Sequence, residues 1–136
     1  MLRRSLLAAL VLAPLAPATA HAAGGGKKDE KKKGGGLTFI QIPTLTATII
    51  RRAGGRGVVT VESGVDVPDA NLRDRAEKSL PRLRSAYNGF LQAYVAGLSP
   101  GSPINADYLA RELQRQTDTV LGKRGARLLL GSILMN

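Results

Sequence analysis

The chain contains no cysteine and no tryptophan, and its one histidine, His21, lies close to the N-terminus. Without cysteine there is no disulfide framework and no thiolate metal site. Without histidine beyond position 21, most of the chain lacks the usual base of nucleophile–base pairs and the commonest transition-metal ligand. Aromatic residues are few, three Tyr and two Phe. Tyr87, Phe90 and Tyr94 fall on an apolar helical stripe and are read as core, which leaves no platform for stacking nucleic-acid bases. The motifs that carry phosphate or acyl chemistry are also missing. Ser63-Gly64 lacks the flanking glycines of a nucleophile elbow, and Gly122-Lys123 lacks the rest of a phosphate-binding loop. Glu62 and Asp66 sit on one face of a strand, where a solvated surface is the expected role for such a pair. No catalytic residue, cofactor or metal ligand is expected, and neither nucleic acid nor a small-molecule substrate is indicated.

What the chain does have is positive charge, 20 Lys plus Arg against 10 Asp plus Glu in 136 residues, a net +10. Residues 1–22 read as an export signal. Arg3 and Arg4 form a basic start, Leu6 to Leu12 is an apolar stretch, and Pro14 and Pro17 break it. Small residues then offer cleavage after Ala20 or Ala22. The apolar stretch is far short of the ~20 residues that a membrane span needs, which disfavours the rival reading of an uncleaved anchor. Arg3-Arg4 followed by Leu6-Leu7 suits the twin-arginine route, while two arginines suit an ordinary Sec signal equally well. Either route delivers the chain to the periplasm.

Residues 23–36 form a second segment, a tether of glycines around Lys27, Lys28, Lys31, Lys32 and Lys33, with Asp29 and Glu30 between them. It has no large apolar side chain to bury, so a flexible spacer is expected. One reading makes it a solubilising linker. The other makes the five lysines a contact for anionic lipid, where each basic residue near the surface is worth ~1 kcal/mol.

Residues 37–136 carry the patterns of a single α+β domain. Leu45, Ala47 and Ile49 share one face of a β-branched run, limited upstream by Pro43 to an edge or a break. A glycine-rich turn, Arg51 to Gly57, leads to alternating Val59, Val61, Val65 and Val67, so the two runs predict a β-hairpin. Asp69 is placed to cap a long helix whose apolar residues, Leu72, Ala76, Leu80, Leu83, Tyr87, Phe90, Leu91, Tyr94 and Leu98, recur at steps of three and four. Pro81 should kink or split that helix near Ser79. A loop around Pro100-Gly101 precedes a second helix, capped by Asn105 and ended by Gly122, with Leu109, Leu113, Gln116 and Val120 as its stripe. Leu128 to Met135 reads as a last, largely buried strand interrupted by Gly131. The expected architecture is helices packed on one face of a small sheet. Arg75, Lys78 and Arg82 lie on the charged side of the long helix. With the edge of the first strand, they are the candidate partner surface.

A hairpin ending in an acidic turn, a helix containing Pro81-Arg82-Leu83-Arg84, a second helix ending in Gly122 to Gly125, and an apolar final strand together resemble the periplasmic domain of the FliL family. These are flagellar basal-body proteins that accompany the motor stator. The resemblance covers roughly residues 45–136. It implies a stomatin-like α+β domain that self-associates or grips a protein partner, with no catalytic residues. FliL proteins carry an N-terminal membrane span where this chain has a short signal-like segment. In layout the whole chain is also similar to small alphaproteobacterial proteins labelled as Tat-pathway signal proteins. The sequence thus points to an exported, non-catalytic periplasmic binding or scaffold protein. The alternative is a soluble envelope protein without a flagellar role, touching anionic lipid or cell-wall polymer.

Overall fold

Three strands and three helices follow one another in the computed structural model, which describes residues 37–136. The export segment with Arg3, Arg4, Leu6, Leu7, Ala20 and Ala22, and the tether with its five lysines, lie outside the described residues. The elements are β1 Phe39–Ile50, β2 Arg56–Asp66, α1 Ala70–Lys78, α2 Leu80–Ala96, α3 Ala106–Leu121 and β3 Arg127–Met135. The sheet is antiparallel in the order β1-β2-β3, with α2 packed along β1 and α3 against β3. This is the expected α+β arrangement. The hairpin closes through Gly54 and Gly55, at φ 86° and 78°, a conformation that costs glycine nothing.

Pro81 divides the long helical stretch. Ser79 ends α1 and begins α2, and Pro81 sits in the first turn of α2, where a missing N–H leaves no bond unmade. Asp69 caps α1 through the N–H of Leu72 at 2.8 Å, and Asn105 caps α3 through the N–H of Tyr108 at 3.0 Å. Gly122 ends α3 at φ 69°.

Glu62 is the pivot of the sheet. On one side Ile42 pairs with Ser63 and Leu45 with Val61, so Pro43 and Thr44 together oppose Glu62. On the other side Leu130 pairs with Ser63 and Ile133 with Val61, so Gly131 and Ser132 also oppose Glu62. Both outer strands therefore bulge against the same central residue. A bulge inserts one residue and reverses which parity faces the core. Ile40 and Ile42 point inward before it and Leu45, Ala47 and Ile49 after it; on β3, Leu128 and Leu130 give way to Ile133. Pro43 is accommodated at the bulge, so β1 begins at Phe39 and runs through it.

Two expectations need correction. β3 is an edge strand, none of whose residues is fully buried, because β2 takes the centre of the sheet. In the second helix the buried stripe is Leu109, Leu113, Thr117 and Leu121. Gln116 and Val120 lie one residue off it, half-buried. Thr117 belongs to the core because its hydroxyl donates to Leu113 O at 2.7 Å and shares a hydrogen bond with the buried Tyr87 hydroxyl. On α2 the deepest row runs Leu83, Tyr87, Leu91 and Val95. Phe90 and Tyr94 are half-buried on its flank.

The core has one unpaired polar atom among the described residues, the Ser63 hydroxyl, which faces inward beside the double bulge. A buried hydroxyl without a partner costs about 1–3 kcal/mol, and alanine fills nearly the same space. Ser63→Ala is therefore expected to stabilise the domain by roughly 1 kcal/mol. Thermal unfolding checks this; a lowered midpoint would mean that the hydroxyl has a bound water as its partner.

Candidate partner surface

The three basic residues singled out on the long helix do not form one free patch. Arg75 donates to Leu121 O at 3.1 Å and Arg82 to Val120 O at 3.4 Å. Both guanidiniums thus reach the last carbonyls of α3, where the helix dipole is negative and backbone acceptors are left over. Lys78 is turned away and pairs with Asp74 at 2.8 Å, one helical turn back. That contact raises the ammonium pKa, chiefly through the hydrogen bond to Asp74. Arg73 likewise bonds the carbonyls of Val67 and Pro68. Although α1 carries Asp74 and Glu77, Arg73, Arg75 and Arg82 bind backbone oxygens.

Arg75→Glu combined with Arg82→Glu is therefore expected to destabilise the domain by about 1–2 kcal/mol, since it removes two caps and sets two negative charges at the negative end of α3. Urea unfolding of this variant beside Lys78→Glu checks it. Equal stability of all three proteins would show that the arginines are merely solvated.

The two edges of the sheet differ. On β1, Pro43 has no N–H to offer, and the N–H of Thr46 donates to the Asn88 side chain of α2 at 3.3 Å. On β3 the first residues are also satisfied. Gln114 of α3 donates to Ala126 O and accepts from the N–H of Leu128, both at 2.8 Å, as a neighbouring strand would. Beyond Leu128 that substitution stops. Val58 and Asn136 exchange both backbone bonds, at 3.2 and 3.0 Å. By the alternation of an antiparallel ladder, Ile133 and Met135 then turn their N–H and C=O groups away from β2. Leu130 does so as well, being two residues on from Leu128. Residues 130–135 are thus an open stretch of sheet edge; on β1, the end beyond Thr46 is comparably open, with Thr48 turned outward by the same alternation. Two of the most exposed large apolar side chains of the strands belong to the β3 stretch, Leu134 at 57% and Met135 at 51%, and Val58 at 44% lies on the neighbouring β2.

The remaining groups with chemical potential are held in place. Glu62 accepts from the Ser132 hydroxyl at 2.8 Å, and Asp66 from the Thr38 hydroxyl. Among the described residues no cluster of three acidic, His or Cys side chains could hold a metal ion. Phe90, Tyr94 and Tyr108 form an aromatic cluster with ring centroids 5.5–6.1 Å apart, and the Tyr94 hydroxyl accepts from the N–H of Asn105 at 2.9 Å. This cluster ties α2 to the start of α3. No described helix is long and apolar enough to cross a membrane.

No protein-family model matches this chain. No curated protein matches it either. The likeness to the FliL family rests on the sequence features given above.

The open β3 edge escaped the sequence reading because Leu128 to Met135 is apolar enough to pass for a central strand. The apolar residues change parity across Pro43-Thr44, from Ile40 and Ile42 to Leu45 and Ala47, but residues 128–135 are apolar at both parities, which hides the matching slip at Gly131-Ser132.

Proposed function

We propose that this chain is an exported, non-catalytic binding module of the periplasm whose folded part captures an extended polypeptide segment along the edge of β3. The carrying observation is the run of outward backbone groups at Leu130, Ile133 and Met135, beside exposed Leu134 and Met135. An added strand gains main-chain hydrogen bonds from such an edge, and alternate side chains supply specificity. Natural proteins guard edges they do not use. Here Pro43 and Asn88 guard β1, Gln114 guards the start of β3, and residues 130–135 are left without such a guard. The signal-like pattern of residues 1–22 supports a location of this surface in the envelope. On the FliL-like reading, the partner belongs to the periplasmic side of the flagellar stator complex.

A photo-crosslinking residue at position 135 of the full chain, expressed in cells that export it, tests this. The expected result is a discrete adduct, absent when the crosslinker sits at position 84 on the exposed helical side. A dimer mass would identify a second copy as the partner, and a heavier adduct a different polypeptide. Equal labelling from both positions, or none from position 135, would overturn the proposal.

A further inference from the structure

The hairpin end of the domain holds a cleft of about 240 Å³, bordered on one side by Met135 and Asn136 at the end of β3. Its floor is apolar, built from Ile49, Val95, Leu98 and Ile104, the side chains where the core runs out between β1, α2 and the α2–α3 loop. Its rim carries Arg51 and Arg52, and no Asp or Glu lines it. We propose that this cleft binds a single-chain anionic amphiphile, an acyl or alkyl chain ending in a carboxylate or phosphate.

The local backbone is built to make this shape. Gly101, at φ 78°, lets the α2–α3 loop close against the stem of Arg52; a Cβ there would lie 2.8 Å from Arg52 Cβ. Arg51 is steadied by its Nε, which donates to Asn136 O at 3.3 Å and leaves the two terminal nitrogens of the guanidinium free of that bond. Arg52 makes no ion pair among the described residues. Two guanidiniums with no Asp or Glu side chain beside them suit a planar or tetrahedral oxyanion, which arginine binds through paired N–H donors. The floor suits a chain. An apolar cavity of about 150 Å³ already takes benzene, whereas ligand pockets for larger molecules begin near 300 Å³. A volume between these fits the end of one chain and excludes a two-chain lipid body. Charge at the rim and apolar surface below it fix the polarity of the ligand, head outward and tail inward.

The test uses the full chain and ten-carbon probes below their micelle concentrations: decanoate, decyl phosphate, decanol and decyltrimethylammonium. Calorimetry and the methyl NMR signals of Val95, Leu98 and Ile104 report binding. Decanoate and decyl phosphate are expected to bind and shift those methyls, with decanol at least tenfold weaker and the cation not binding. Arg52→Gln is expected to weaken the two anions about tenfold, with Arg52→Lys intermediate, because lysine keeps the charge and loses the paired donors. Neither change touches a buried group, and circular dichroism checks that both variants fold. Anions binding no better than decanol, or equally well to Arg52→Gln, would overturn the proposal. So would binding to anionic vesicles alone, without any shift from the monomeric probes, because that is attraction of a basic surface. Met135 borders both sites, but Arg52 lies on the hairpin and not on β3, so the Arg52 variants test the cleft and leave strand capture at Leu130 to Leu134 intact.

Discussion

Tyr87→Ala is expected to remove about 3–5 kcal/mol of stability, a large share of the roughly 5–15 kcal/mol that holds a domain of this kind. Tyr87 is fully buried, among the largest side chains in the core. Its ring fills the space between α2 and α3, and its hydroxyl meets that of Thr117, which donates a hydrogen bond to Leu113 O. Truncation leaves a cavity and deprives Thr117 of a partner. Tyr87→Phe keeps the ring and loses only one bond, so it should cost about 1 kcal/mol. Urea unfolding followed by circular dichroism separates the two, and equal small effects would show that α2 and α3 pack without this residue.

The same side chain gives a pH dependence. Burial pushes the Tyr87 hydroxyl from its ordinary 10 up to about 12; the Thr117 hydrogen bond pulls it down and the nearby Asp118 charge adds to the rise. The folded state then holds the phenolic proton more tightly than the unfolded state. This contribution is present in full below pH 10, falls as the pH rises from 10 to 12, and is gone above. Its size is about 2–3 kcal/mol, from two units of difference. Tyr87→Phe removes the group, so the wild type's advantage of about 1 kcal/mol should shrink and then reverse across that window. A constant difference would contradict the assignment.

Partner capture is the second large effect. Leu134→Lys with Met135→Lys should weaken it more than tenfold, a change of at least about 1.4 kcal/mol in binding. Lysine on an edge strand is a common guard against strand addition. Both residues are more than half exposed, so the thermal midpoint should move little. Undiminished capture by the folded double variant would remove the edge from the binding surface.

Much of this fold was legible in the residues. The caps at Asp69, Asn105 and Gly122, the break at Pro81 and the valines of β2 follow from local chemistry, and each element formed where its signal lay. The misreadings have a common source, which is that a tertiary neighbour decided the outcome. Thr117 reads as surface until Tyr87 supplies a partner for its hydroxyl. Arg75 and Arg82 read as a free basic face until the end of α3 arrives beneath them. Leu128 to Met135 reads as central until β2 takes the centre, and the slips at Pro43-Thr44 and Gly131-Ser132 gain meaning only when both face Glu62. The cleft beneath Arg51 and Arg52 was invisible for the same reason, since it joins three segments distant in sequence. It forms only because Gly101 permits a close approach.

Amide hydrogen exchange on the full chain, with and without the partner captured at position 135, tests the central claim most directly. Residues 130–135 are the segment to watch, because the amides of Leu130, Ile133 and Met135 point away from β2. Those three amides are predicted to gain protection together in the complex, while the amides on the free edge of β1 keep their rates. Protection gained along β1 or on the helical side, with Leu130, Ile133 and Met135 unchanged, would contradict capture at the β3 edge.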